Sequence, residues 1–341
     1  MKAKLILLFL LIIAISGTSP LIAFGKKEAL SLKVEDVNSE SEEILKKRKK
    51  GVWIPLTGLR IYREGGLHID GRYEKIKFKI GGSIMADVGT IDADNELDRA
   101  FPGLEDNDID FRRFNLDIRG IFFDAIEFRL DIDFANVRDI KDNWIRFKNL
   151  PILNHMRFGH LKEPSSLEEL TSIQNLTFME QSLSTQALTA GRNLGVRYNN
   201  DFLENRMTLA LGGFWETSSF DNPNALGDRI NENNGFNLSA RITGLPRYAE
   251  DGEDLIHLGV SYMHMFRDMG NKDANARFNT PPETRIISER LVDTGDLVID
   301  RGDRIGVEFA MVRGPLSLQG EYHQVIVHEA DDLNFWGYYL Y

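Results

Sequence analysis

The clearest pattern in the chain lies at residues 126–134, where apolar and charged side chains alternate without a break. Every even position is apolar and every odd position is charged, from Ile126 to Phe134. A helix would scatter these charges around its circumference, whereas a strand places all of them on one side. The stretch therefore predicts a β-strand with one apolar face and one charged face.

The same period of two recurs along the chain. In the preceding segment, one face carries Phe114, Leu116 and Ile118, and the other carries Arg113, Asn115, Asp117 and Arg119. Phe123 and Asp124 would form the tight turn between these two strands. Further strands are predicted at 145–148, 155–158, 194–198, 207–215, 236–242, 256–265, 305–311, 316–327 and 335–341. No helical pattern long enough for a parallel crossover lies between the early strands, so their neighbours should be antiparallel.

Polar loops separate the later strands, at 218–235, 267–284 and 329–334. Short turns at one end and long polar loops at the other are typical of bacterial outer-membrane β-barrels. A charged face that recurs on strand after strand favours such a barrel over a soluble β-sandwich. Both architectures alternate, so the sandwich stays open as the alternative.

The amino terminus carries an export signal. Lys2 and Lys4 precede an apolar run at 5–15, and small, turn-forming residues follow it at 16–20. The run is shorter than the roughly 20 residues of a spanning helix, and Ala23 and Gly25 fit a cleavage site. We predict a signal peptide at 1–25, a charged periplasmic segment and lead-in at 26–72, and the barrel at 73–341; an uncleaved anchor is the alternative for the first segment.

Composition excludes several classes of protein. The chain of 341 residues has no cysteine, which removes disulfides and thiolate metal sites. Its 41 basic and 52 acidic residues give a net charge of -11, which does not indicate a nucleic-acid partner. The histidines are scattered over separate predicted strands, and no metalloprotease helix or nucleophile elbow is present. An enzyme is therefore not expected, although an esterase could assemble its residues across strands.

One stretch carries a specific resemblance. FGHLKEPSSLEELTS at 158–172 is followed by LTFMEQSL at 176–183 and GRNLGV at 191–196. Upstream lie FRRF at 111–114, DIDFA at 131–135 and IKD at 140–142. In this order the motifs strongly resemble the phosphate-selective porin O and P family, over about residues 75–341.

This resemblance implies a trimeric, 16-stranded transmembrane antiparallel β-barrel in the outer membrane of a Gram-negative bacterium. Its loop at 165–190 would fold into the lumen as the constriction, with small anions such as phosphate or polyphosphate as permeants and no cofactor or metal. Within that loop, 167–170 can form a helical turn whose leucines pack on the wall while Glu168 and Glu169 face water or basic residues. The family commonly has an apolar residue at Ser165 or Ser166 and an arginine at Gln181, and losing that arginine weakens the expected anion preference.

Two sets of residues are candidates for the pore. The basic residues predicted on the lumen face are Arg113, Arg119, Arg129, Arg146, Lys148, Arg157, Arg197, Arg241 and Arg304. The constriction candidates are Lys162, Glu168, Glu169, Thr171, Phe178 and Glu180. The arginines could pass anions along as a ladder. Pairing with wall carboxylates is the favoured interpretation, since arginine is expected in any charged lumen; Asp117, Glu127, Asp131, Asp133, Glu308 and Glu321 are available as partners.

The sequence thus predicts passive diffusion of small hydrophilic solutes, with weak anion selectivity. The alternative function is a secreted soluble β-protein that binds a ligand or surface polymer through its long loops. About 13 strands can be placed, whereas bacterial barrels have even numbers. Residues 335–341 resemble an internal strand of the family, so further strands are expected in the complete protein; a smaller barrel that ends at Tyr341 is the alternative.

Overall fold

The computed structural model describes residues 6–7, 11–13, 52–54, 59–71, 75–91, 94–101, 107–135, 139–151, 153–217, 235–267, 275–284, 286, 289–328 and 332–341. Most of the predicted signal peptide and periplasmic segment lies outside these residues, as do most of the predicted loop at 218–235 and half of the predicted loop at 329–334. The division of the chain into domains therefore stays a prediction.

Strands dominate the described residues, and long ones begin where the alternation begins. The strands are β1 (Ile6–Leu7), β2 (Leu11–Ile13), β3 (Val52–Ile54), β4 (Leu59–Arg63), β5 (Leu67–Asp70), β6 (Ile76–Thr90), β7 (Asn107–Phe122), β8 (Ile126–Asp133), β9 (Asp139–Leu150), β10 (Asn154–Lys162), β11 (Arg192–Phe202), β12 (Met207–Trp215), β13 (Phe236–Ala249), β14 (Asp254–Phe266), β15 (Asn275–Ala276), β16 (Asn279–Thr280), β17 (Val292–Asp293), β18 (Leu297–Val298), β19 (Arg301–Arg313), β20 (Leu316–His328) and β21 (Leu333–Leu340).

Helices are few and short. They are α1 (Asn95–Ala100), α2 (Leu167–Leu170) and α3 (Leu183–Leu188), with 3-10 turns η1 (Ile173–Asn175) and η2 (Glu250–Gly252). In the part of the chain that the structure describes, no helix is long and apolar enough to cross a membrane.

Seventeen strands form one antiparallel sheet. From β3 to β14 each strand pairs with the next one in the chain, and β19, β20 and β21 continue the same order. β1 and β2 pair with β6, and the short strands β15 to β18 form two separate pairs. The predicted all-β antiparallel architecture is confirmed.

The predicted turn between β7 and β8 is also present. Phe123 and Asp124 have φ angles of 54° and 55°. Positive φ at both central residues is the signature of a type I′ hairpin turn, which matches the right-handed twist of the flanking strands. The turn fixes the register in which Ile118 pairs with Leu130 and Asp117 with Asp131.

Burial on the two faces is the reverse of that in a soluble protein. On β8, Asp131 and Asp133 are 4% and 0% exposed, whereas the apolar Leu130, which directly precedes Asp131, is 37% exposed. The same inversion occurs on β14, where His257 is buried and Leu258 exposed. Exposed apolar surface of this extent needs an apolar environment. The charged side chains, which are buried on the opposite face, need partners within that face.

The sheet curves around residues 163–191, which connect β10 to β11. These residues contact the inner faces of four widely separated strands, through Arg113 of β7, Ser239 of β13, Ser261 of β14 and Glu321 of β20. A flat sheet could not bring β7 and β20 to one segment. The charged face is therefore the concave one.

Thiol labelling can test this assignment of faces, because the chain has no native cysteine. Cysteine at Leu130 should react with a membrane-soluble maleimide, whereas cysteine at Arg119 or Arg129 should react with a water-soluble one. The physical reason is that Leu130 lies on the exposed apolar face and the arginines on the concave face. Equal labelling of all three sites by the water-soluble reagent would contradict the assignment.

Candidate pore constriction

The segment at 163–191, called here the inserted segment, leaves the sheet and returns beside its own starting point. The backbone N–H of Glu163 donates to the carbonyl of Gly191 at 3.1 Å, which closes the base of the segment. The predicted helical turn at 167–170 is present as α2. Ser166 caps it, because its Oγ accepts from the N–H of Glu169 at 3.1 Å.

Glu163 ties the base of the segment to the wall. Its carboxylate accepts from Asn193 Nδ2 at 2.7 Å, Asn237 Nδ2 at 2.8 Å and Ser239 Oγ at 2.7 Å. Complete burial raises the pKa of the Glu163 carboxyl, and these hydrogen bonds act in the opposite direction. The base is thus held by three neutral donors on β11 and β13.

Glu168 does not face water or basic residues as the sequence predicted. It is buried, and its Oε2 accepts from the N–H and Oγ of Ser182 at 3.1 and 2.8 Å. Burial raises the pKa of the Glu168 carboxyl. The side chain therefore holds two parts of the inserted segment together, because folding of the segment brings Ser182 to the start of α3 beside α2.

The other predicted constriction residues are brought together in part. Lys162 Nζ lies 3.6 Å from Glu169 Oε1 and also contacts the carbonyls of Glu169 and Thr171. Glu180 Oε1 lies 3.4 Å from Arg113 on β7. Phe178 is exposed and packs edge-on against Tyr341, with ring centroids 5.1 Å apart. The inserted segment thus contacts the wall at several points through non-covalent interactions.

An apolar cluster holds α3 on the concave face, which the sequence did not predict. Ala187, Leu188 and Ala190 pack there against wall and loop residues. Those partners are Met263, Met265, Ala276, Phe278, Ile299, Val325 and Val327. The part of the concave face that α3 covers is therefore apolar.

Most of the predicted lumen arginines are bound to carboxylates. Arg119 lies 2.7 Å from Asp117, and Arg129 lies 3.1 Å from each of Asp117, Asp131 and Asp142. Asp142 also binds Arg192 at 2.9 Å. This chain of alternating charges runs across β7, β8, β9 and β11.

The same pairing continues around the wall. Asp133 lies 3.8 Å from Arg113 and 2.7 Å from Lys141. Glu127 lies 2.9 Å from Arg146 and 3.0 Å from Lys148. Arg241 donates two hydrogen bonds of 2.7 Å to Glu308, in the forked geometry that favours carboxylates.

Three predicted basic residues have other contacts. Arg157 stacks over the Trp144 ring at 4.1 Å, and Arg197 donates to Asn199 Oδ1 and the carbonyl of Lys162. Arg304 lies 5.5 Å over the Phe278 ring, and among the described residues it has no ion pair and its Nε has no hydrogen-bond partner. It lines a small cleft with Ser165, Thr189, Ser261 and His323.

Sequence reasoning missed Arg112. Alternation put it on the apolar face, but the register between β6 and β7 shifts near Met85, and this bulge turns both Arg112 and Arg113 inward. Arg112 Nε lies 3.1 Å from Asp87, and its guanidinium donates to the carbonyl of Met179 in the inserted segment. The adjacent arginines were visible in the sequence, but the bulge was not.

The described residues contain no group of three or more His, Asp or Glu side chains that could hold a metal ion. The side chains described above are arginines, carboxylates and hydroxyl groups, a composition that orders a polar wall.

The Arg112 pair provides a test of the buried wall. Arg112→Ala should destabilise the folded protein by about 3–5 kcal/mol, because it leaves a buried carboxylate without its partner. Asp87→Asn in the same background should recover most of that loss. Urea unfolding followed by tryptophan fluorescence measures both, with the exposed Arg99→Ala as control. An equal loss from Arg99→Ala would contradict the explanation.

Two comparisons with known proteins show what the chain is similar to. A protein of Caulobacter vibrioides (strain ATCC 19089 / CIP 103742 / CB 15), described as an uncharacterized protein, is 28% identical over 247 residues. The match covers 70% of this chain and 46% of that protein, so the chain spans about half the length of this relative. The profile of the phosphate-selective porin O and P family, a family of outer-membrane channels, matches residues 78–341. The predicted resemblance is confirmed, and the chain belongs to the phosphate-selective porin O and P family.

Proposed function

We propose that the protein is an outer-membrane porin through which small hydrophilic solutes diffuse passively, with a weak preference for anions. The observation that carries the proposal is the inserted segment, bound on the concave charged face of a sheet whose other face is apolar and exposed. Such a segment narrows a water-filled lumen. A cleaved signal peptide would export the chain, and a homotrimer in outer-membrane lipid is the proposed assembly.

The preference for anions is weak because most of the basic wall is already neutralised. Six of the nine predicted basic residues are in ion pairs with carboxylates. This pairing favours the wall interpretation over a continuous ladder of free arginines. An anion that passes would meet few guanidinium groups whose donors are not in use.

Arg304 is the residue that we propose contacts a passing anion. It has no ion pair among the described residues, and the hydroxyl groups of Ser165, Thr189 and Ser261 line the same cleft. Guanidinium and hydroxyl donors suit oxyanions such as phosphate, which makes phosphate or polyphosphate candidate permeants.

A reversal-potential measurement in planar bilayers tests the preference. Arg304→Gln should shift the reversal potential toward cations, because it removes a positive charge that would lie beside the permeating ion. Screening limits the effect of each charge to about 8 Å at physiological salt, so more distant charges cannot replace it. Arg301→Gln is the matched control, since Arg301 lies on the same strand, three residues away on the exposed face. The idea fails if the two variants shift the potential equally, or if neither does.

Shortening the inserted segment tests the constriction. Deletion of residues 170–182 removes the last residue of α2 and the whole connection to α3. It should raise single-channel conductance, since the narrowest section widens. Heat-modifiable migration of the detergent-solubilised variant would check that it has folded. Unchanged conductance in a folded variant would show that the segment does not narrow the pore.

A further inference from the structure

Glu321 stands out among the carboxylates of the concave face because its contacts lie on the inserted segment. It is 3% exposed on β20. Its oxygens accept from Ser166 Oγ at 3.0 Å, from the N–H of Leu167 at 2.9 Å and from the N–H of Glu168 at 2.8 Å. Tyr339 on β21 donates to it at 2.6 Å. No basic side chain in the described part of the chain forms an ion pair with it.

A carboxylate buried without a cation is tolerated only when hydrogen bonds satisfy it. Three of the four donors to Glu321 come from consecutive residues of the inserted segment, so the carboxylate is satisfied only while the segment is docked. The need is mutual, because the N–H groups of Leu167 and Glu168 open α2 and have no partner within the helix. The Glu321 carboxylate and the first turn of α2 therefore depend on each other for their hydrogen bonds.

The contact extends through the rest of the segment. Glu168, whose N–H binds Glu321, holds Ser182 with its own carboxylate. Ser182 Oγ accepts from the N–H of Thr185 at 3.3 Å, and Thr185 Oγ1 lies 3.4 Å from His323 Nε2. His323 is two residues from Glu321 on the same strand. The path thus leaves β20 at Glu321, passes through both helices and returns to β20.

We propose that Glu321 is the positioning residue that fixes the inserted segment in the lumen and thereby sets the width of the constriction. This inference rests on the proposed function, in which that segment narrows the pore. Without the Glu321 carboxylate, α2 leaves the wall and the segment samples several positions. The pore then fluctuates between widths while the sheet stays intact.

Neighbouring carboxylates do not have this role. Glu308 lies directly opposite Glu321 on β19, but it binds Arg241 and His257 of the wall. Glu163 holds the base of the segment and not α2. Glu308→Gln is therefore a matched control, because it removes one negative charge from the adjacent position without touching the inserted segment.

Single-channel recording of the full-length protein in planar bilayers tests the proposal. Glu321→Ala should increase open-channel current noise about threefold and raise the mean conductance, because a released segment moves between positions. Glu321→Gln should lie between this variant and the wild type, since an amide oxygen accepts hydrogen bonds and the amide nitrogen does not. Glu308→Gln should leave the noise unchanged.

A covalent lock separates positioning from a general loss of structure. A Cβ built at Gly337 would lie 2.9 Å from Ser184 Cβ, about 1 Å closer than the separation of about 3.8 Å in disulfides, so α3 must shift by about that distance for the bridge to form. Ser184→Cys with Gly337→Cys, added to Glu321→Ala, should show wild-type noise when oxidised and raised noise when reduced. A variant that was merely misfolded would not recover on oxidation.

Wild-type noise and conductance in a folded Glu321→Ala variant would overturn the proposal, and so would noise that oxidation of the lock does not reduce. A wild-type protein that forms no channel would instead refute the proposed function.

The anchor is then tested by labelling of Ala187→Cys, which is 9% exposed on α3. Its reaction with a water-soluble maleimide should be about tenfold faster in the Glu321→Ala background, because local release exposes it; an unchanged rate overturns the anchor.

Discussion

Charge that is buried on the concave face must be neutralised or hydrogen-bonded within that face, and the rest of the structure depends on this constraint. On the long strands of the sheet the apolar side is exposed, so the polar side of the sheet provides the protein's interior. Burying an isolated ion is far more costly than burying an apolar group. Arginines and carboxylates therefore alternate from strand to strand, as in the chain from Arg119 through Arg129 to Arg192.

The inserted segment satisfies part of the same requirement. Where the wall supplies a carboxylate without a cation, as at Glu321, the segment supplies N–H and hydroxyl donors. Where the wall supplies cations, as at Arg112 and Arg113, the segment supplies a carbonyl and Glu180. In the proposed pore, the residues that narrow the lumen are the same ones that complete the polar interior, so the width of the lumen and the stability of the wall would be linked.

The antiparallel strands, the Phe123 turn and the helical turn at α2 could be predicted from the sequence, because each depends on residues that are near in the chain. The family could be predicted from the motif at 158–196. The partners of individual arginines could not, since ion pairs join strands whose register a single sequence does not contain. Arg112 was missed because a bulge reverses the face of one residue, and Glu168 was misplaced because Ser182 is brought to it only by folding of the segment.

The contact between Ser166 and Glu321 joins residues 155 positions apart. Contacts so distant in the chain form late and slow the folding of a protein, because a long loop must be closed before they contribute. Residues 163–191 precede β13, β14 and β20 in the chain, yet they need all three to satisfy their polar groups. Docking of the inserted segment therefore waits for the later strands, and until they fold, the polar groups of the segment that those strands satisfy stay open to competing partners and to proteases.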